Sequence, residues 1–176
     1  MFCTNQPVVV LPCRKRAHDC LVKYLLTFQD EDANTLKSVY HQARTAVVEA
    51  LQLPDIFEFD QLIVLPAVRQ LEHDLAFLLL QFFIQGSLHG YMQFHERHAS
   101  DIQALGLSHN DLLKKLRLMA MAQLASVHLM GVVSFRQIAL ALEIQESEAE
   151  HWAIDAIRAR LIDARIDQLN RNIMIM

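Results

Sequence analysis

Residues 131–176 read GVVSFRQIALALEIQESEAEHWAIDAIRARLIDARIDQLNRNIMIM, and this stretch decides the fold. Gly131 ends a long helical pattern, and Val132-Val133 is a short β-prone run. Ser134, with Gln137 three residues on, forms a capping box ahead of Ile138, Leu140 and Leu142. Ser147 with Glu150 reads as a second capping box, opening a helix that carries Trp152, Ile154, Ile157 and Leu161. Asp163–Asp167 and Asn172–Met176 read as two strands around the four-residue loop Gln168–Arg171. Helix, short strand, helix, helix and hairpin follow one another in the order of a winged helix.

Upstream, the punctuation of a helical protein continues. All four prolines lie at or before Pro66, and all four glycines fall between Gly86 and Gly131. Met1–Pro12 reads as an irregular or extended lead-in. Helical patterns run over Lys15–Phe28, Ala33–Leu53 and Ile56–Leu65, with Leu36, Tyr40, Ala43, Val47 and Leu51 on one face of the second. Pro66 suits the first position of the next helix, where a missing N–H costs nothing. Leu75–Ile84 is apolar on nearly every side, which predicts burial. Gly86, Ser87 and Gly90 allow a break, and Ser108 with Asp111 marks a helix start that continues through Leu112–Leu129. The expected organisation is mainly α: a lead-in over 1–13, a short helical-repeat stack over 14–110, and a C-terminal winged helix over 111–176.

Composition narrows the function. The chain has 176 residues, 53% hydrophobic and 20% charged, which is enough to bury a core and too apolar for disorder. The most apolar run is about half of a bilayer span, so no membrane partner is expected. The basic cluster Arg14-Lys15-Arg16 follows the short apolar run Val8–Leu11 rather than preceding it, unlike a secretory signal, and this implies a reducing compartment. The same three residues could be a nuclear signal, although a solvated helix start accounts for them more simply. Cys3, Cys13 and Cys20 show no C-x-x-C spacing and read as free thiols.

Nucleic acid is a poor fit. Net charge is −4, and residues 111–176 carry eight basic and eight acidic side chains. Glu146, Glu148 and Glu150 occupy the start of the helix that would read a groove, where carboxylates repel phosphate and favour the helix dipole.

No metal, cofactor or catalytic constellation emerges from the residues. His95-Glu96-Arg97-His98 spaces its histidines three apart, not four as a zincin requires, and reads as a solvated helix face. There is no G-x-S-x-G and no phosphate loop, and hence no enzyme signature. Met119, Met121 and Met130 with Leu118 and Leu129 read as helix core in preference to an adaptable binding surface.

The order of several short motifs resembles the PCI domain, the module shared by the proteasome lid, the COP-9 signalosome and translation initiation factor three. The resemblance covers the chain from about Thr27 onward. It rests on Asp30-Glu31-Asp32-Ala33-Asn34, Phe59-Asp60-Gln61-Leu62, Val68, Leu71-Glu72, Tyr91-Met92-Gln93-Phe94 and Ala104-Leu105-Gly106-Leu107. Leu116-Arg117-Leu118, Ser134-Phe135, Ile154-Asp155-Ala156-Ile157-Arg158 and Ile166-Asp167-Gln168 continue the order through the winged helix. The initiation-factor members match best. The signalosome branch is second, compared through Ile166-Asp167-Gln168-Leu169-Asn170. Family members usually carry a longer N-terminal helical array and continue past the wing into a C-terminal helix, so the resemblance implies a divergent or shortened member.

What the resemblance implies is a non-catalytic scaffold subunit of initiation factor three. Its partners would be other PCI-domain subunits and, indirectly, the small ribosomal subunit, in the cytoplasm. The signalosome alternative would allow the nucleus as well. Such domains join through their winged helices, and Asn172–Met176, read as an exposed edge strand, offers unpaired N–H and C=O groups. The candidate interface is Val132, Val133, Arg165, Asp167, Gln168, Ile173, Met174 and Ile175.

Overall fold

The structure is a computed structural model and describes residues 10–29 and 31–176. The chain divides into two compact units, Met1–Gln81 and Phe82–Met176.

The first unit opens with α1 (Val10–Leu26), α2 (Ala33–Ser38) and α3 (Tyr40–Gln52). Val10–Pro12, expected to be irregular, form the first turn of α1, where proline removes no intrahelical bond; Met1–Val9 lie outside the described residues. The single helix expected over Ala33–Leu53 is two. Ser38 Oγ donates to the Thr35 carbonyl at 2.6 Å, and the Val39 N–H turns instead to the Leu36 carbonyl at 3.2 Å. Asp32 caps α2 by accepting from Thr35, which holds its carboxyl below the usual range. The predicted face persists across the break: Leu36, Ala43, Val47 and Leu51 are buried and Tyr40 is half-buried.

The helix expected over Ile56–Leu65 is shorter, α4 (Asp60–Val64), followed by α5 (Pro66–Arg69) with Pro66 in its first turn. Leu53 and Leu65, each directly before a proline, are both extended, because the pyrrolidine ring disfavours the helical region one residue earlier. α6 (Leu75–Gln85) runs across the boundary at Gln81. Asp74 fixes its start: Oδ1 accepts from the Ala76 N–H at 2.8 Å, while Oδ2 accepts from the Tyr40 hydroxyl at 2.9 Å. Arg44 Nε lies 3.0 Å from the same oxygen, so one carboxylate caps α6 and ties it to α3. Leu25, Ala46, Val47, Leu65, Val68, Leu79 and Leu80 are wholly buried in this unit.

The second unit begins in the last turn of α6. Gly86 has φ +64 and a Cβ there would meet Gln123 Oε1 at 2.6 Å, so the turn into α7 (Leu88–Ala104) requires glycine. Ser87 caps α7 through the Gly90 N–H. α7 bends at His98, and α8 (His109–Val127) follows with Ser108 at its N-cap position, although the hydroxyl makes no capping bond. Then come β1 (Val132–Ser134), α9 (Phe135–Leu142), a 3-10 turn (Glu146–Glu148), α10 (Ala149–Arg158), β2 (Ala164–Asp167) and β3 (Asn172–Ile175). The Ser134/Gln137 capping box forms as read from sequence. The second box is displaced: Gln145 pairs with Glu148 around the 3-10 turn, and Ser147 caps nothing.

The three strands form one antiparallel sheet in the order β1-β3-β2. The result is mainly α with a small wing sheet. Phe83, Tyr91, Leu112, Leu116, Val133, Ile138, Leu142, Ala153, Ala156 and Ile173 make its core.

Candidate functional site: the sheet edge, the wing and the third helix of the winged helix

The sheet order corrects one expectation directly. β3 pairs with β1 on one side and with β2 on the other, so Asn172–Met176 is the central strand, not an edge. Ile173 is wholly buried, Ile175 is 3% exposed and Val133 is wholly buried; these three members of the candidate interface are core. Val132 and Met174, cross-strand partners on the opposite face, stand in solvent together with Arg165 and Gln168, while Asp167 is half-buried.

The edges are therefore β1 and β2, and they differ. In an antiparallel ladder every second residue turns its N–H and C=O away from the partner strand. Met176 donates to the Asp163 carbonyl at 2.9 Å, which sets the phase and leaves Ala164 and Ile166 facing outward on β2. On β1 the outward residues are Val132 and Ser134, and the Ser134 N–H is already taken by Gln137 Oε1 at 2.9 Å. β2 is the more open edge.

Polar contacts hold the wing to α10 and to the 3-10 turn before it, and brace its own loop. Gln168 Nε2 donates to Glu150, Arg171 pairs with Glu146 at 3.1 Å, and the Asn170 N–H donates to Asp167 at 3.1 Å. The bonds from Asn170 hold the Asp167 carboxyl below the usual range. The three glutamates read as repelling phosphate each have an intramolecular partner, Glu148 through the Gln145 N–H. Behind them, Arg117 of α8 donates to the Leu142 carbonyl at 3.1 Å and the Glu143 carbonyl at 3.3 Å. Its guanidinium lies 5.4 Å from the Trp152 ring centroid. Lys114 and Asp155 join α8 to α10 at 3.3 Å.

The histidines behave differently from a solvated face. His95 and His98 are half-buried: the His95 ring lies tilted against His109 at 3.8 Å between centroids, and His98 lies 4.6 Å from Phe94. The buried Tyr91 hydroxyl meets His109 Nδ1 at 2.9 Å. Burial pushes the Tyr91 phenol up to about 12 and, with His95 and Arg117 nearby, lowers His109. Residues too far apart in sequence to be read together make this cluster. Among the described residues no group of three or more His, Cys, Asp and Glu is placed to hold a metal ion, and no helix is long and apolar enough to cross a membrane.

The methionine reading divides. Leu118 and Met121 are core, Met119 is half-buried, and Leu129 and Met130 are 69% and 83% exposed beside the exposed Val127. Sequence reasoning missed the wing-tip Leu169, 96% exposed. Its signal was available, an aliphatic side chain in an otherwise polar hairpin loop.

A winged helix behind helices, with this capping pattern and sheet order, defines the class, and the PCI domain model matches residues 92–175. That stretch is a PCI domain. The chain is similar over most of its length to proteins named eukaryotic translation initiation factor 3 subunit M. The protein of that name from Dictyostelium discoideum is 35% identical over 164 residues, covering 90% of this chain and 40% of the relative. Those from Drosophila willistoni and Nematostella vectensis are 33% and 30% identical over 161 residues, each covering 92% of this chain. The chain thus spans about two fifths of the length of these relatives.

Proposed function

We infer that the chain serves as a non-catalytic scaffold subunit of eukaryotic translation initiation factor 3, joining neighbouring PCI-domain subunits through its winged helix. Its contact with the small ribosomal subunit would run through those neighbours, in the cytoplasm. The observation that carries this reading is the similarity to initiation-factor subunits over 90% of the chain, which includes the winged helix. Two features support it. The β2 edge turns hydrogen-bonding groups outward, as strand addition by a partner requires. The carboxylates of the 3-10 turn and the first turn of α10 are held by partners within the chain and disfavour phosphate.

The test is to tag the chain at Met1, purify it gently from its own cells and identify what accompanies it by mass spectrometry. Initiation-factor subunits with small-subunit ribosomal proteins are expected. Cullins with a metal-dependent isopeptidase subunit would move the protein to the signalosome, and an unaccompanied monomer would sink the scaffold reading.

A further inference from the structure

Tyr91, His95, His98 and Ile102 recur at helical spacing and form one face of α7. Tyr91 and Ile102 are buried, and the two histidines between them are half-buried. Against this face stands His109, the first residue of α8. The His95 and His109 rings approach to 3.8 Å between centroids, and the Tyr91 hydroxyl meets His109 Nδ1 at 2.9 Å. α7 bends within the same face: His98 is non-helical, φ −125 and ψ 24, although no proline or glycine follows Gly90 in the helix. Tyr91 and His95 precede the bend, and His109 lies beyond it, past the turn at 105–108.

The contact suits neutral rings. Tyr91 keeps its proton throughout the neutral range, since burial pushes the phenol up to about 12. Its hydroxyl makes no other hydrogen bond among the described residues, so it donates to Nδ1, and the proton of neutral His109 sits on Nε2. A proton added at Nδ1 turns that acceptor into a donor and leaves the buried phenol proton without a partner. Burial, His95 on α7 and Arg117 farther along α8 all disfavour an imidazolium at His109, and the positive end of the α8 dipole acts in the same sense. α6 brings the uncharged Phe83 ring to Tyr91. Among the described residues the histidines that pair with carboxylates are His18, His98 and His151, and neither His95 nor His109 is one of them. Glu96 and Asp111, close to them in sequence, are exposed. His98 differs, because Asp101 Oδ2 lies 3.3 Å from its Nδ1 and can pair with the charged ring. Acid therefore opposes the His95–His109 contact and favours the pair at the bend.

We propose that Tyr91, His95 and His109 form a proton-operated latch. Neutral rings hold the start of α8 and the turn before it against α7. Protonation releases residues 99–109 about the bend at His98 and uncovers Ile102 and Leu107, which are 1% and 4% exposed in the closed form. The body of α8 stays docked through Leu116 and Met121.

The test is hydrogen exchange on the whole chain, labelled with ¹⁵N, together with titration of the histidine ring protons. The Leu107 amide donates to the Ile102 carbonyl at 3.3 Å and the Leu112 amide to the Ser108 carbonyl at 3.0 Å, so both report the latch. Between about pH 7.5 and about pH 5.5 their protection should fall at least about tenfold relative to that of Ile138 in α9. His109→Gln should hold that change within about twofold. Tyr91→Phe removes the hydroxyl that binds neutral His109, and His95→Gln removes the neighbouring charge. Each should raise the midpoint of the His109 ring titration by about half a pH unit or more and shrink the loss of protection. Thermal midpoints at neutral pH check that the variants fold, and the unmodified chain decides by itself through the comparison with Ile138. Ile138 losing protection in step with Leu107 and Leu112, a full loss in His109→Gln, or a His109 titration unmoved by both other variants would each overturn the proposal.

Discussion

The guanidinium of Arg117 lies 5.4 Å from the centroid of the Trp152 ring while its N–H groups donate to the carbonyls of Leu142 and Glu143. One side chain of α8 therefore closes the C-terminal end of α9 and covers the aromatic face of α10. Glu143 takes a left-handed conformation, φ 51, that ends α9 and leaves carbonyls in need of donors. Arg117→Lys keeps the charge but loses the planar fork that makes both bonds and the stacking contact. It should destabilise the second unit by about 1–2 kcal/mol. Urea unfolding followed by Trp152 fluorescence measures this; an unchanged midpoint would show that the contact contributes nothing.

Asp74 has the equivalent position in the first unit. Its carboxylate accepts from the Ala76 N–H and the Tyr40 hydroxyl and faces Arg44 at 3.0 Å. Asp74→Ala should cost about 2 kcal/mol, since a cap and a partly buried acceptor are lost together. Asp74→Asn should recover part of that, because an amide oxygen still caps α6. Far-UV circular dichroism with heating distinguishes the two variants.

Acid should weaken the second unit through His109. Burial, His95 and Arg117 lower its pKa in the folded chain, so the unfolded chain binds the proton more readily. Stability is then full above the unfolded value near 6.5 and declines as pH falls from there through the lower folded value. His109→Gln should flatten that part of the profile. The readout is the urea midpoint measured across the acid range, and an equally steep decline in the variant would acquit His109.

Ile173→Lys provides the sharpest check on which face of β3 meets the core. Ile173 is wholly buried on the central strand, and an ammonium there would lose its water without gaining a partner. The substitution should cost about 3–5 kcal/mol and abolish cooperative unfolding of the wing. Met174→Lys, one residue on and 51% exposed, should cost well under 1 kcal/mol. Similar effects from both would mean that Ile173 and Met174 do not face opposite sides of the sheet.

The sequence by itself determined what depends on neighbours a few residues apart. The Ser134/Gln137 box, Pro66 in the first turn of α5, the apolar face from Leu36 to Leu51 and the hairpin around Gln168–Arg171 all rest on local hydrogen bonding, fixed proline geometry or periodicity, and each stands where it was read. The break at Val39 and the shift of the second capping box to Gln145/Glu148 are also local, but there two residues compete for the same backbone groups and sequence does not show which prevails. Only the tertiary structure decided which hairpin strand lies inside the sheet. Asn172–Met176 and Asp163–Asp167 are both amphipathic and short, and their order depends on which of them meets Val132–Ser134, a choice made by packing about 40 residues away. The same holds for Tyr91 against His109 and for Arg117 against Trp152, because an alternation or a helical period fixes the direction of a side chain and long-range packing fixes what it touches.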